Sequence, residues 1–114
     1  MLAAIAALSA DQARHIGLVA TDGDRIVGEG RYVALEDGGR GEFAIAVADP
    51  WQRRGIGARL LAALTAAARR ARIAALEGEI LRTNAAMLKF VLRAGYRLRI
   101  CPGDARLTIA ERDL

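Results

Sequence analysis

The stretch VADPWQRRGIGARLL, residues 47–61, decides how this chain folds. From Ile56 the apolar positions 56, 60, 61, 64, 68 and 71 form the stripe of an amphipathic helix that is predicted to reach about Arg72. The strand pattern GEFAIAV (41–47) precedes this helix, and AALEGEIL (74–81) follows it. A strand, a helix and a second strand in this order form a crossover unit, so these two strands are predicted to be parallel.

The remaining elements are predicted outward from this unit. Two further strands, 15–21 and 25–35, precede it, with turns at 21–24 and 36–39. A second helix is expected between an N-cap at Asn84 and a C′ residue at Gly95, with Met87, Phe90 and Val91 on its buried side. A last hairpin covers 96–101 and 106–112, and residues 1–13 favour a short Ala-rich helix. The fold class is therefore α+β, a mixed and mostly antiparallel sheet with one parallel crossover.

Composition limits the classes of function. The chain has 114 residues, which suits one domain, with 54% hydrophobic and only 4% aromatic residues, so its core is aliphatic. Its single Cys101 and single His15 favour neither a disulfide framework nor a metal cluster. No apolar run approaches the roughly 20 residues of a membrane span, and the first residues lack the basic start of a signal peptide, so a cytoplasmic location is expected.

The two glycines of the quoted stretch indicate an anion site. A helix N-terminus presents unpaired N–H groups and a partial positive charge. Gly55 and Gly57 leave room for a ligand to approach the backbone, and Arg53 and Arg54 add positive charge. The net charge of +4 is compatible with a phosphorylated ligand, a nucleic acid or an acidic membrane. An ordinary Gly-rich helix start with solvated arginines is the alternative.

Known phosphate-binding motifs separate these possibilities. A Walker loop needs Gly-Lys-Ser/Thr, which is missing, and the dinucleotide fingerprint needs a small residue where Leu60 stands. The segment QRRGIG (52–57), in contrast, matches the Q/R-x-x-G-x-G/A turn of the GNAT acetyltransferases. LRTNAAMLKFVLRAGYRL (81–98) resembles the same family's N-x-x-x…G-F/Y helix. The resemblance covers roughly residues 15–112 and is nearest to the GNAT domains of bacterial protein lysine acetyltransferases.

This resemblance implies acetyl-CoA as the ligand and no metal. The turn 52–58 would hold its pyrophosphate, and the backbone of 46–48 would bind the pantetheine arm. Asn84 would face that arm or act as a plain N-cap, and both readings stay open. The cofactor-binding residues implied in this way are Ala46, Val47, Ala48, Gln52, Arg53, Arg54, Gly55, Ile56, Gly57, Ala58, Asn84 and Met87.

The resemblance also implies a catalytic residue. Acetyl transfer to an amine requires a base that removes a proton from the amine. Glu42 matches the general base of the lysine acetyltransferase branch, while a surface carboxylate at a strand start is its alternative reading. Glu77 and Glu79 are weaker candidates. Phe90 occupies the position where many GNAT enzymes carry a tyrosine that protonates the leaving thiolate, so water is expected to take that role.

The family usually begins with further elements, and its first strand and helix are expected to be missing here. Residues 15–21 would then form an open sheet edge, which proteins seldom leave bare, so a homodimer or a partner chain is expected to cover it. The predicted function is N-acetyltransfer from acetyl-CoA to a primary amine, on a small molecule or a protein lysine. A CoA-binding module without turnover is the alternative. A basic nucleic-acid binder ranks last, because stacking aromatics and a reading helix are missing, and neither nucleic acid nor membrane is expected as a partner.

Overall fold

The computed structural model describes residues 4–11, 14–35, 39–52 and 54–114. Their elements are seven strands and two α-helices, with a 3-10 turn at Asp49–Trp51. The strands are β1 Ala4–Asp11, β2 His15–Asp22, β3 Arg25–Ala34, β4 Arg40–Val47, β5 Ala75–Leu81, β6 Arg97–Ile100 and β7 Leu107–Asp113; the helices are α1 Ile56–Arg70 and α2 Ala85–Arg93.

The strands form one sheet in the order β1-β2-β3-β4-β5-β7-β6. Strands β4 and β5 are parallel, and the other described pairs are antiparallel. The predicted α+β fold with one parallel crossover is thereby confirmed. The parallel pairing is short: it joins residues 40–42 to residues 75–77 and stops at Glu42 and Glu77. Beyond that vertex β4 and β5 diverge.

Helix α1 packs on β2, β3 and β4, as its apolar stripe predicts. Its buried residues include Leu60 and Leu64, both at 0% exposure. Gly28 and Gly30 make this packing possible, because a Cβ at Gly28 would lie 3.2 Å from Ile56 Cγ2 and one at Gly30 would lie 3.3 Å from Leu64 Cδ1. The strand glycines therefore mark the close approach of the helix to the sheet.

Both helices lie on the same face of the sheet. Phe90 of α2 faces Gly57 of α1, and Val91 belongs to the same core cluster as the leucines of α1. The shortest dimension of the molecule, 20 Å, fits one sheet layer and one helix layer. Within the described ranges no helix covers the opposite face, where alternation along β4 places Glu42.

The N-terminal segment corrects one prediction. Residues 4–11 form strand β1, antiparallel to β2, instead of an Ala-rich helix; residues 1–3 and 12–13 lie outside the described part of the chain. The pairing opportunity at the edge of β2 overrides the helix propensity of alanine, because propensity is only a weak prior. The first strand that was expected to be missing is therefore present, and β1, instead of residues 15–21, forms the edge of the sheet.

Glycines with positive φ occupy the turns and the end of α2. Gly23 joins β2 to β3 with φ +61° and Gly103 joins β6 to β7 with φ +85°. Gly95 follows α2 with φ +90°, the left-handed geometry expected of a C′ residue. Residues 36–38 of the turn predicted at 36–39 are outside the described ranges.

Candidate active site

A groove of about 1240 Å³ opens where β4 and β5 diverge, with α1 and α2 as its walls. It brings together eight of the twelve residues predicted to bind the cofactor. These are Ala46, Val47, Gln52, Gly55, Gly57, Ala58, Asn84 and Met87. The sequence prediction therefore identified residues from three separate segments that meet in one cavity.

The N-terminus of α1 forms one end of this groove. Its N-cap is Gly55, at φ +81°, a conformation that glycine adopts without strain. No side chain caps the helix and no acidic residue lies in its first turn. The amides of the first turn are therefore left for an anion. This end of the groove has room at Gly57, since a Cβ there would lie 3.7 Å from the Phe90 ring, an ordinary van der Waals distance.

The predicted side chains around this turn differ in their roles. Gln52 Nε2 donates to the carbonyl oxygen of Val47 at 3.1 Å and so ties the turn to the end of β4. The Arg54 guanidinium lies 5.2 Å from the centre of the Trp51 ring, a cation–π contact at the rim. Ile56 is buried in the core, so only its backbone can face a ligand. Arg53 lies outside the described residues.

Strand β4 presents a free backbone edge to the groove. Its pairing with β5 ends at Glu42, so the N–H and C=O groups of residues 43–47 on that side have no strand partner. An extended ligand can bind such an edge as an added strand would. Ala46 and Val47 line the groove, whereas the N–H of Ala48 donates to Val27 O at 2.9 Å and Ala48 does not line it.

The start of α2 is capped, in contrast to that of α1. Asn84 Oδ1 accepts a hydrogen bond from the Met87 N–H at 3.1 Å, so the N-cap reading of Asn84 is confirmed. Both side chains also line the groove. Met87 and Phe90 are only half-buried because they face the cavity, and Val91 alone of the stripe predicted at 87–91 is fully buried.

Glu42 lies at the vertex where the two parallel strands separate, and its side chain is exposed. It does not line the groove, because it points to the other face of the sheet. The neighbouring Glu77 is occupied: it accepts a hydrogen bond from Arg40 Nε at 2.7 Å. The other weaker candidate, Glu79, lies 3.9 Å from the thiol of Cys101.

An ion-pair network surrounds this vertex. Arg40 also donates to Glu111 of β7 at 3.0 Å, and Arg99 Nε lies 3.2 Å from Glu111. The hydrogen bond from Arg40 is the main cause that holds the pKa of Glu111 below its ordinary range. Arg40 thereby joins β4, β5 and β7 at the closed end of the cleft.

Candidate proton donors for a leaving group are sparse in the groove. Phe90 lines it and has no hydroxyl. Thr65 lines it too, and its Oγ1 lies 3.5 Å from the hydroxyl of Tyr96 beneath, whose pKa is raised by burial. Burial likewise raises the pKa of the Cys101 thiol, so that thiol stays protonated at neutral pH and is a poor nucleophile.

Sequence reasoning missed part of the groove wall. Thr65 and Arg69 of α1 line it, as do Lys89 and Arg93 of α2 and Arg112 of β7. A signal for α1 was available, because positions 58, 62, 65 and 69 lie on one helical stripe that begins beside the Gly55–Gly57 turn. No local pattern points to Arg112, since only the tertiary fold brings β7 to α2.

The groove is electrostatically one-sided. The charged side chains that line it are Arg69, Lys89, Arg93 and Arg112, and its described lining contains no aspartate or glutamate. Such a lining focuses a positive potential that attracts anions. Among the described residues no group of three or more His, Cys, Asp or Glu is arranged to hold a metal ion. The described helices are also too short or too polar to span a membrane.

Comparison with known proteins agrees with this architecture. The family model described as acetyltransferase (GNAT) domain matches residues 13–98. No curated protein sequence matches the chain significantly.

Solved structures share the fold over most of the chain. The GNAT domain of Streptomyces lividans PAT is 29% identical, with a TM-score of 0.83 over 93% of this chain and 64% of that chain. A Klebsiella pneumoniae protein assigned as an acyl-CoA N-acyltransferase is 22% identical, with a TM-score of 0.86 over 98% of this chain and 97% of that one. A Salmonella typhimurium protein assigned as an acetyltransferase, solved with acetyl-CoA, is 22% identical, with a TM-score of 0.78 over 90% and 66% of the two chains.

Proposed function

The chain belongs to the GNAT family of acetyltransferases, and from this premise we propose that it transfers the acetyl group of acetyl-CoA to a primary amine. The observation that carries the proposal is the groove itself. It begins at an uncapped helix N-terminus and follows a free strand edge toward the vertex where Glu42 lies. The primary amine can belong to a small molecule or to a protein lysine.

The groove suits the donor at each part of its length. The pyrophosphate requires N–H donors and positive charge, which the first turn of α1 and Arg54 supply. The pantetheine amides require backbone partners, which the free edge of β4 supplies at Ile45 and Val47. The backbone groups of Ala46 face β3, because they alternate along the strand. Gly57, which has no side chain, and the small side chain of Ala58 leave space for the pantetheine arm. When bound, acetyl-CoA supplies an acyl group activated as a thioester.

Glu42 is proposed as the general base. A carboxylate at the vertex can accept the proton that the amine loses, either directly or through a water molecule. The open face of the sheet gives an amine access to this carboxylate, because no helix of the described residues covers it. Arg40 forms an ion pair with the neighbouring Glu77, whereas none of the ion pairs among the described residues involves Glu42.

The leaving thiolate is proposed to take its proton from water. Phe90 cannot supply one, and the hydroxyl of Tyr96 lies beneath Thr65 instead of in the groove lining. The same observation favours the second candidate function, a CoA-binding module without turnover. Binding alone needs the groove but needs neither a base nor an acid.

A turnover assay separates the two functions. Release of free CoA thiol from acetyl-CoA is measured with a panel of amines and lysine peptides, in parallel with binding. Amine-dependent thiol release that is lost in Glu42→Gln supports the enzyme. Tight acetyl-CoA binding without release, for every amine tested, supports the binding module instead.

A homodimer, or a partner chain on the sheet edge, stays a prediction, but the edge that it would cover is now a different strand. The strand that such a contact would cover is β1, because β1 already covers β2. Light scattering at high protein concentration tests it. A strictly monomeric species would count against an interface between two copies.

A further inference from the structure

We propose that the end of the groove opposite to the glycine turn binds a carboxylate carried by the acyl group of the donor. The donors would then include dicarboxylic acyl thioesters such as succinyl-CoA. Three groove-lining guanidinium groups form this arginine end: Arg69, Arg93 and Arg112. The inference rests on the proposed function, because it assumes that a CoA thioester occupies the groove.

Three different elements bring these guanidinium groups to one place. Arg69 lies in the last turn of α1 and Arg93 in the last turn of α2. Arg112 comes from β7, and its Nη1 donates to the carbonyl oxygen of Ala94 at 2.8 Å. Burial raises the pKa of the Tyr96 hydroxyl beneath the groove, and the positive charges of Arg112 and Arg69 both partly offset this rise, so both guanidinium groups lie near that hydroxyl. The arginine end is therefore a shared wall and not a run of neighbours in sequence.

These arginines lack the ion-pair partners that several other arginines of the chain have. Arg40, Arg97 and Arg99, on the open face, each form ion pairs with glutamates. Within the described ranges no ion pair involves Arg69, Arg93 or Arg112. Attraction to the helix C-termini explains a preference for cations at Arg69 and Arg93. This attraction does not explain why the described residues that line the cavity include no aspartate or glutamate.

The length of the groove matches the length of such a donor. From Ile56 to Arg69, α1 advances 13 residues, or about 20 Å at about 1.5 Å per residue. The pantetheine arm has about 13 bonds between pyrophosphate and sulfur, or roughly 15 Å at the spacing of an extended chain. An acetyl group would end short of the arginine end. A four-carbon dicarboxylic acyl group adds roughly 5 Å, which brings its carboxylate within reach of the guanidinium groups.

The transfer balances without a further reactant. The amine nitrogen bonds to the thioester carbonyl carbon, the carbon–sulfur bond breaks, and the amine proton passes to the Glu42 carboxylate. The thiolate leaves and takes a proton from water, and the hydroxide that remains takes the proton from Glu42, which restores the carboxylate. The distal carboxylate is unchanged, so the product is an amide that carries a negative charge where the amine carried a positive one.

Calorimetric titration with acetyl-CoA and succinyl-CoA tests the proposal. The proteins are the wild type, Arg69→Gln and Arg93→Gln, with Arg70→Gln as the matched control, because Arg70 is exposed on the same turn but does not line the groove. We expect the wild type to bind succinyl-CoA about tenfold more tightly than acetyl-CoA. Each groove variant should weaken succinyl-CoA binding about tenfold, while acetyl-CoA binding changes less than twofold and the control changes neither.

The remaining outcomes contradict the proposal in distinguishable ways. If Arg69→Gln or Arg93→Gln weakens the binding of acetyl-CoA and succinyl-CoA equally, the arginines contact the CoA moiety that both donors share. Equal affinity of the wild type for both donors would also overturn the proposal and leave the proposed function intact. Competition of acetyl-CoA with free succinate, without any preference for succinyl-CoA, would show an independent anion site. No binding of either donor by the folded wild type would overturn the proposed function as well.

Discussion

Glu42 is the residue on which the proposed chemistry depends. Its exposure at the vertex and its place outside the groove predict that it acts on the acceptor and not on donor binding. Glu42→Gln should lower kcat by roughly 10²- to 10⁴-fold, because that is the usual contribution of a positioned acid or base. Acetyl-CoA should bind with an affinity within twofold of the wild type. Thiol release and calorimetry measure the two quantities.

The control for this prediction is Glu79→Gln, which changes the same functional group on the neighbouring strand. It should keep most of the activity, since Glu79 lies beside Cys101. If Glu79→Gln loses activity and Glu42→Gln does not, the base was assigned to the wrong strand. A loss of donor affinity in Glu42→Gln would show instead that Glu42 serves binding.

Glu111 gives a prediction for stability against pH. Arg40 and Arg99 lower its pKa in the folded state below its ordinary value of about 4.5. A group with a depressed folded pKa stabilises the fold above its unfolded pKa, and this stabilisation is lost as pH falls through the folded pKa. The wild type should therefore be more stable than Glu111→Gln at pH 7, and the difference should shrink below about pH 4.5.

Urea unfolding of both proteins at pH 7, 5, 4 and 3 measures this difference. Other acidic groups with lowered pKa, such as Asp104, are common to both proteins and cancel in the comparison. A difference that stays constant with pH would show that the glutamate stabilises by packing and not by charge.

Among the elements, β4 and β5 are in close contact just beyond the vertex, where the Phe43 ring lies over Gly78. A Cβ at Gly78 would lie 2.7 Å from Phe43 Cζ, and the Phe43 ring is held in place because it packs edge-on against Tyr96 at 5.4 Å. Gly78→Ala should therefore lower the free energy of unfolding by about 1–3 kcal/mol, the usual cost of overpacking. Urea unfolding provides the measurement.

A double-mutant cycle provides its control. Phe43→Leu removes the ring, so Gly78→Ala should cost clearly less in that background than in the wild type, a coupling expected of residues in contact. Strictly additive effects would mean that the ring does not restrain position 78. The strand would then tolerate a side chain there by moving.

The elements also show where sequence prediction succeeds. Helix α1 and both ends of α2 were predictable, because a 3.6-residue stripe, Asn84 and Gly95 are local signals. Strand β1 was not, because alanine favours a helix locally while the free edge of β2 favours a strand. That edge exists only in the folded sheet, so the sequence of residues 4–11 alone could not predict the pairing with β2.

At the scale of the whole molecule, the site is formed by elements far apart in sequence. The glycine turn was predictable because its residues are consecutive in the sequence. Asn84 and Met87 were predictable because they belong to a second motif. Thr65 and Arg69 share a helical stripe with Ala58, which would have indicated them, whereas Arg112 reaches the groove only through the packing of β7 against α2. The position of Glu42 at the vertex needed the register of β4 with β5, which no local pattern specifies.

If the N-terminus of α1 holds the anionic part of acetyl-CoA, a negative charge at Gly57 should weaken binding, and calorimetric titration of Gly57→Glu measures this. Gly57 has room for a side chain, so Gly57→Gln is a control of the same size without the charge. We predict that the wild type binds acetyl-CoA with micromolar affinity, that Gly57→Gln weakens binding modestly, and that Gly57→Glu weakens it at least tenfold further. Equal affinity of the two folded variants, or no binding by the wild type, would contradict the account.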